Sequence, residues 1–220
     1  MKNLKPKNVL VTVLFLIVSM ANFYSVYFDN FLVEMISKPL IVTFLAILYL
    51  INSKKLSFWF LSALLFSFWG DVLLLFNDSY FVFGLASFFL SHVFYTIVTV
   101  KKIKTYSIKN VVASSIPYVL FLIILLYLIY ENLHDFLAPV IIYGIVISVF
   151  GVTTLVNFIQ NKTTENGWLF LGATIFIISD SLIALNKFYE TKHIYGILIM
   201  ITYVVAQYLI CKSIITTDQE

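Results

Sequence analysis

"SFWGDVLLLFNDSYFVFGLASFFLSHVFY", residues 67–95, reads as lipid-soluble chain on either side of one short polar turn, yet it carries an aspartate, Asp71, and a histidine, His92. The flanks of those two residues are too apolar and too long for a soluble core. The whole chain has the same character, with 220 residues that are 61% hydrophobic and only 11% charged, where soluble domains carry about a quarter charged residues. Such a composition predicts an integral membrane protein.

A span needs about 20 mostly apolar residues to cross roughly 30 Å of hydrocarbon. Eight stretches meet this, roughly 8–28, 33–51, 57–76, 80–100, 109–130, 136–158, 166–187 and 193–212. The expected fold is all-α, a polytopic transmembrane bundle of about eight spans forming a single membrane domain over 1–220. Because the loops are short, sequential helices are expected to be antiparallel neighbours. Lys2, Lys5 and Lys7 before the first apolar run resemble a signal peptide, but "SMA" at 19–21 is a poor cleavage site, so the first span is expected to be retained.

Lysine stays on the cytoplasmic side of a membrane. Lys2, Lys5 and Lys7, then Lys54 and Lys55, then Lys101, Lys102, Lys104 and Lys109 occupy alternate loops. The other loops carry Asp29, Glu34, Asp78, Glu131 and Asp135, with Lys187 and Lys192 as exceptions. Both termini are therefore expected to be cytoplasmic. The absence of arginine fits an AT-rich bacterial genome, and with it a bacterial inner membrane. A net charge of +3 in separate short clusters gives nucleic acid no basic stripe to bind. Cys211 is alone and forms no intrachain disulfide, and His134 and His193 lack the clustering of a metal site. No cofactor is implied.

A charge in hydrocarbon costs about 2.5–3.5 kcal/mol on insertion scales, so one kept there faces the bundle interior, a partner or a cavity. Asp71 lies five residues, about 7.5 Å, below the outer end of its span. Asp180 lies about 10 Å deeper than Lys187 and on nearly the same face. The two carboxylates are thus expected at similar depth. Lys38 adds a cation at that end, and His92 with Tyr95, three residues on, is expected to form a hydrogen-bonded pair. Tyr143 and Gln207 are further interior polar candidates. Each has a plainer reading: the acids as structural groups bonded to Ser67, Ser179, Ser181 or Lys38, His92 and the other polar residues as interhelical glue, and the lysines as snorkelling side chains.

"KPL" at 38–40, "GDVLLL" at 70–75, "GLASFFLSHVFY" at 84–95, "ISDSLIALNKF" at 178–188 and "YVVAQYLI" at 203–210 together resemble the YhhN-type lysoplasmalogenases, eight-span membrane enzymes. The resemblance implies hydrolysis of the vinyl ether bond of lysoplasmalogens to a fatty aldehyde and a glycerophospho-headgroup. It carries functional positions onto Asp71, His92, Tyr95 and Asp180, with Lys38, Asn186, Lys187 and Gln207 as companions. The expected partners are a lysophospholipid substrate and membrane lipids. Vinyl ether hydrolysis needs a proton donor and a stabilising carboxylate, as in glycoside hydrolysis, and two acids held close in a poorly hydrated site cannot both ionise cheaply. Which acid keeps its proton is open at this point. Three other classes compete: a proton-coupled carrier, which would favour broken helices in repeated halves, a hydrolase of another lipid bond, and a noncatalytic lipid-binding assembly.

Overall fold

The structure is a computed structural model and describes residues 6–76, 80–103, 105 and 107–217. Lys2, Lys5, Asp78 and Lys104, which the topology reading used, lie outside these. The described residues form eight α-helices and no strand: α1 Pro6–Tyr27, α2 Phe31–Asn52, α3 Phe58–Leu74, α4 Phe81–Val100, α5 Ile108–Ile129, α6 Leu137–Gln160, α7 Thr164–Phe188 and α8 His193–Thr217. All but α3 are long and apolar enough to cross a membrane. With 17 residues, α3 spans about 25 Å. The helix ends lie within a few residues of the sequence expectation, except that α8 runs five residues further.

Local chemistry explains several starts. Asn30 caps α2 by accepting from the Val33 N–H, Ser57 caps α3 through Phe60, and Thr163 caps α7 through Asn166. Between α1 and α2 the chain reverses in three residues, with Asp29 in the left-handed region at φ 53° and the Asn30 N–H bonded to the Ser25 carbonyl. The segment between α5 and α6 is wound into two short 3-10 turns, Tyr130–Asn132 and His134–Phe136.

The packed helix pairs run in a closed circuit, α1–α2–α3–α4–α6–α7–α8 and back to α1, with α2 also touching α8. Helix α5 is outside this circuit and leans on α6 and α7. This corrects the expectation that every helix packs chiefly on its sequence neighbours, because α4 packs on α6 instead. Small residues let rings seat closely at two other contacts. At Gly151 of α6 an added Cβ would sit 2.5 Å from the Tyr118 ring of α5, so the glycine is what lets α5 lie against α6. Only Ser114, Tyr118 and Ile129 of α5 are buried. On the opposite side, Gly70 lets the Phe88 ring of α4 press onto α3, where a Cβ would meet it at 2.5 Å.

Polar side chains fill the interior at several levels. Asn22 donates to Ser37 at 3.1 Å and ties α1 to α2, and Asn157 donates to Asn166 at 3.0 Å near the other end. Cys211 is buried, its Sγ against the Leu45 carbonyl at 3.5 Å. That burial gives a silent background for topology mapping. With both termini cytoplasmic, an impermeant maleimide added to intact cells labels Thr191→Cys, on the exposed α7–α8 turn, and spares Asn161→Cys on the α6–α7 turn; the reverse pattern inverts the orientation.

Candidate active site

Two buried polar clusters occupy the interior of the circuit. The first joins α3, α4 and α8. Tyr203 donates its hydroxyl to Asp71 Oδ2 at 2.6 Å, and Gln207 Nε2 donates to Ser67 Oγ at 3.0 Å and to the Tyr203 oxygen at 3.4 Å. Tyr95 donates to Gln207 Oε1 at 2.7 Å. Ser91 gives its proton to the Ala63 carbonyl, so Ser67 is the donor in the 2.8 Å contact between the two serines. Every proton in this network thus has one direction. Asp71 is 1% exposed.

The second cluster joins α4, α6 and α7. Tyr143 donates a very short hydrogen bond to Asp180 Oδ2, and His92 Nε2 lies 3.0 Å from the Tyr143 oxygen and 3.2 Å from the same Asp180 oxygen. With the Tyr143 proton committed to Asp180, His92 donates from Nε2. Nδ1 is buried and makes no hydrogen bond. Both bonds to Asp180 end on Oδ2, so Oδ1 carries neither. The Asp180 side chain is 8% exposed.

An aromatic partition stands between the clusters. The Phe176 ring packs edge-on against His92, at 4.7 Å between centroids, and against Tyr203 at 5.5 Å. Asp71 therefore communicates with Asp180 through space and across a ring, without a hydrogen-bonded path between them among the described residues.

At one end of the bundle an open cavity of about 680 Å³ is lined by both signs of charge, with Glu34 and Lys38 from α2, Lys187 from α7, and Lys192 and His193 around the α7–α8 turn. Lys38 pairs with Glu34 at 3.6 Å, and Lys187 sits over the Phe81 ring at 4.4 Å. Asn186 lines the same cavity and accepts from the Lys192 N–H at 3.0 Å. Asp180 and Tyr143 line a smaller space further in.

The candidates therefore fall into three places: Asp180, His92 and Tyr143 together, Asp71, Tyr95 and Gln207 together, and Lys38, Asn186 and Lys187 in the outer cavity. The expected His92–Tyr95 pair does not form. Residues three apart on a helix point some 60° from each other, and here that angle sends His92 toward α6 and α7 and Tyr95 toward α8. Ser179 and Ser181 bond to backbone carbonyls of Ile199 and Ile177 rather than to the acids. Tyr203, the hydroxyl that holds Asp71, was not singled out in the sequence, although it opens one of the quoted motifs and falls four residues before Gln207, one turn away on the same face.

The sequence model of the YhhN family matches residues 33–214. The chain belongs to the YhhN family. Nothing among curated proteins or solved structures matches it. The family match begins at the start of α2 and runs almost to the end of α8, so it covers both polar clusters and most of the outer cavity's lining, and leaves α1 outside.

In this YhhN protein the first cluster has a clear energetic content. Removing the Tyr203 hydroxyl leaves a buried carboxyl without its donor, a loss of about 1–3 kcal/mol. Tyr203→Phe is expected to lower the thermal midpoint in detergent, and Tyr203→Phe with Asp71→Leu to recover part of it, because the double variant has no orphaned carboxyl.

Proposed function

We propose that this protein is a membrane-embedded hydrolase that cleaves the vinyl ether bond of lysoplasmalogen-like lysophospholipids, with Asp180 as the group that meets the reacting atoms. Membership of the YhhN family suggests a membrane hydrolase. The observation that carries the chemistry is the buried carboxyl of Asp180, clamped through one oxygen by Tyr143 and His92 beneath an outer cavity with lysines on its wall.

The arrangement supports the following reaction. Asp180, entering the cycle as the neutral acid, transfers its proton to the β-carbon of the vinyl ether, and the C=C π electrons form the new C–H bond. The product is an oxocarbenium ion, and Asp180 is now a carboxylate beside it. Tyr143 and His92 Nε2–H supply the two donors that stabilise this carboxylate, preformed and shielded from water. Water adds to the cationic carbon and gives its proton to Asp180, which restores the acid. The hemiacetal then collapses: its hydroxyl gives up a proton as the C=O bond forms, the C–O bond to the glycerol breaks with its electron pair going to the departing oxygen, and a proton reaches that oxygen, releasing aldehyde and the glycerophospho-alcohol. One carboxyl thus serves the transfers to carbon and from water, and one water is consumed.

Asp71 has a supporting place in this reading. The rigid network that fixes it lies behind the Phe176 ring and holds α4, the helix that carries His92. Lys38, Lys187 and Lys192 meet the lipid phosphate in the outer cavity, where a headgroup naturally lies. The alternatives separate by product. Purified protein incubated with lysoplasmalogen, with the saturated-ether lysolipid and with the ester lysolipid is expected to release aldehyde from the first alone. Ester cleavage instead would assign another lipid hydrolase, and no product from any would leave a carrier or a binding protein.

Asp180→Asn is expected to lower kcat by about 10²–10⁴-fold, the usual contribution of a general acid, with the folded protein recovered in normal yield. Tyr143→Phe and His92→Gln lose less, since each removes one of two donors. Near-normal turnover in Asp180→Asn overturns the assignment.

A further inference from the structure

Three spaces touch one another in order along the interior. The outer cavity and the small inner space share Leu74, Phe81 and Ile183 as common wall. The inner space and a third one, a groove between α5, α6 and α7, share Tyr143 and Asp180. The sequence of spaces is therefore charged cavity, aliphatic constriction, Asp180, apolar groove. Apart from its polar end at Asp180, the groove is lined largely by apolar or small side chains, among them Leu122, Leu125, Gly144, Ile147, Ser148 and Ile177.

We propose that the α5–α6–α7 groove is the binding site for the hydrocarbon chain of the lysolipid, and that α5 is the movable wall that admits it from the bilayer. The inference rests on the lipid-hydrolase reading for the identity of the headgroup and adds the location of the tail. A lysolipid has one charged end, one chain, and its cleavable bond at the junction. With the phosphate in the lysine-lined cavity and the chain in the groove, that junction falls at the two residues the inner space and the groove have in common, which are Tyr143 and the Asp180 carboxyl.

The groove holds about 40 Å³ in this structure, little more than the volume of one water. A chain therefore enters only if a wall yields, and α5 is the wall built to yield. It lies outside the helix circuit, buries three residues, and is tied to α7 by one long hydrogen bond, Tyr118 to Thr174 at 3.3 Å. Pro117 interrupts its hydrogen-bond ladder and supplies a hinge next to that contact. Gly144 and Ser148, one turn apart on α6, are the small residues whose enlargement would shorten the groove.

The test uses purified full-length protein and has two independent readouts. A lysophosphatidylethanolamine with a diazirine at the end of its chain is photolysed with the protein, and adducts are mapped by mass spectrometry. Adducts on Leu125, Ile147 and Ser148 that excess lysolipid competes away are expected, and Ser148→Phe removes them. In parallel, lysoplasmalogens of graded chain length are assayed. Ser148→Phe, or Leu125→Trp from the opposite wall, is expected to lower kcat/KM for long chains about tenfold or more relative to short ones. Adducts confined to other helices, or equal losses at every chain length, overturn the groove assignment. Competed adducts in the groove without vinyl ether cleavage by the parent protein keep the tail site and overturn the hydrolase reading instead.

Discussion

Inside a bilayer there is no water to complete the bonding of a carboxyl, so each acid must bring its partners from neighbouring helices. Both deep acids of this protein solve that requirement with tyrosine. Tyr203 of α8 reaches Asp71 of α3, and Tyr143 of α6 reaches Asp180 of α7. Each bond fixes the rotation and depth of two helices at once. Because the first also engages Gln207, Tyr95 and Ser67, it locks α4 as well, and His92 on that same helix is then delivered to the second cluster. The geometry at Asp180 thus depends on bonding at Asp71, even though Phe176 stands between them.

The two clusters differ in what they leave unsatisfied. Around Asp71 each donor has an acceptor, which is the condition under which a buried polar network stabilises a unique structure. Around Asp180 the His92 Nδ1 is buried without a bond, and the Asp180 carboxyl itself lines the inner space. Satisfied groups hold a protein together; unsatisfied ones are available to a substrate. The contrast separates the surroundings of the two acids, where the amino-acid sequence treats them as equivalent.

Much of this was legible before any coordinates. Eight apolar stretches of membrane length, and Asp71, His92 and Asp180 as polar groups that hydrocarbon would reject, follow from composition and spacing alone. Helix partners did not follow. Whether His92 turns to Tyr95 or to Tyr143 depends on a rotation of some 60° that only interhelical packing sets. Where α5 and α4 seat their rings depends on how closely Gly151 and Gly70 let Tyr118 and Phe88 approach, which a list of small residues does not order in space. Tyr203 went unnoticed because tyrosine is common in this chain and carries no charge to mark it as misplaced.

The bond between Tyr203 and Asp71 joins residues 132 positions apart. A ribosome adding about 5–20 residues per second leaves on the order of ten seconds between the emergence of the acid and that of its hydroxyl partner. Throughout that interval α3 sits in the membrane with an uncompensated carboxyl roughly 7.5 Å from the end of its hydrophobic stretch, shallow enough to remain near the headgroups. The Asp71 carboxyl thus gains its hydroxyl partner only once α8 has been made.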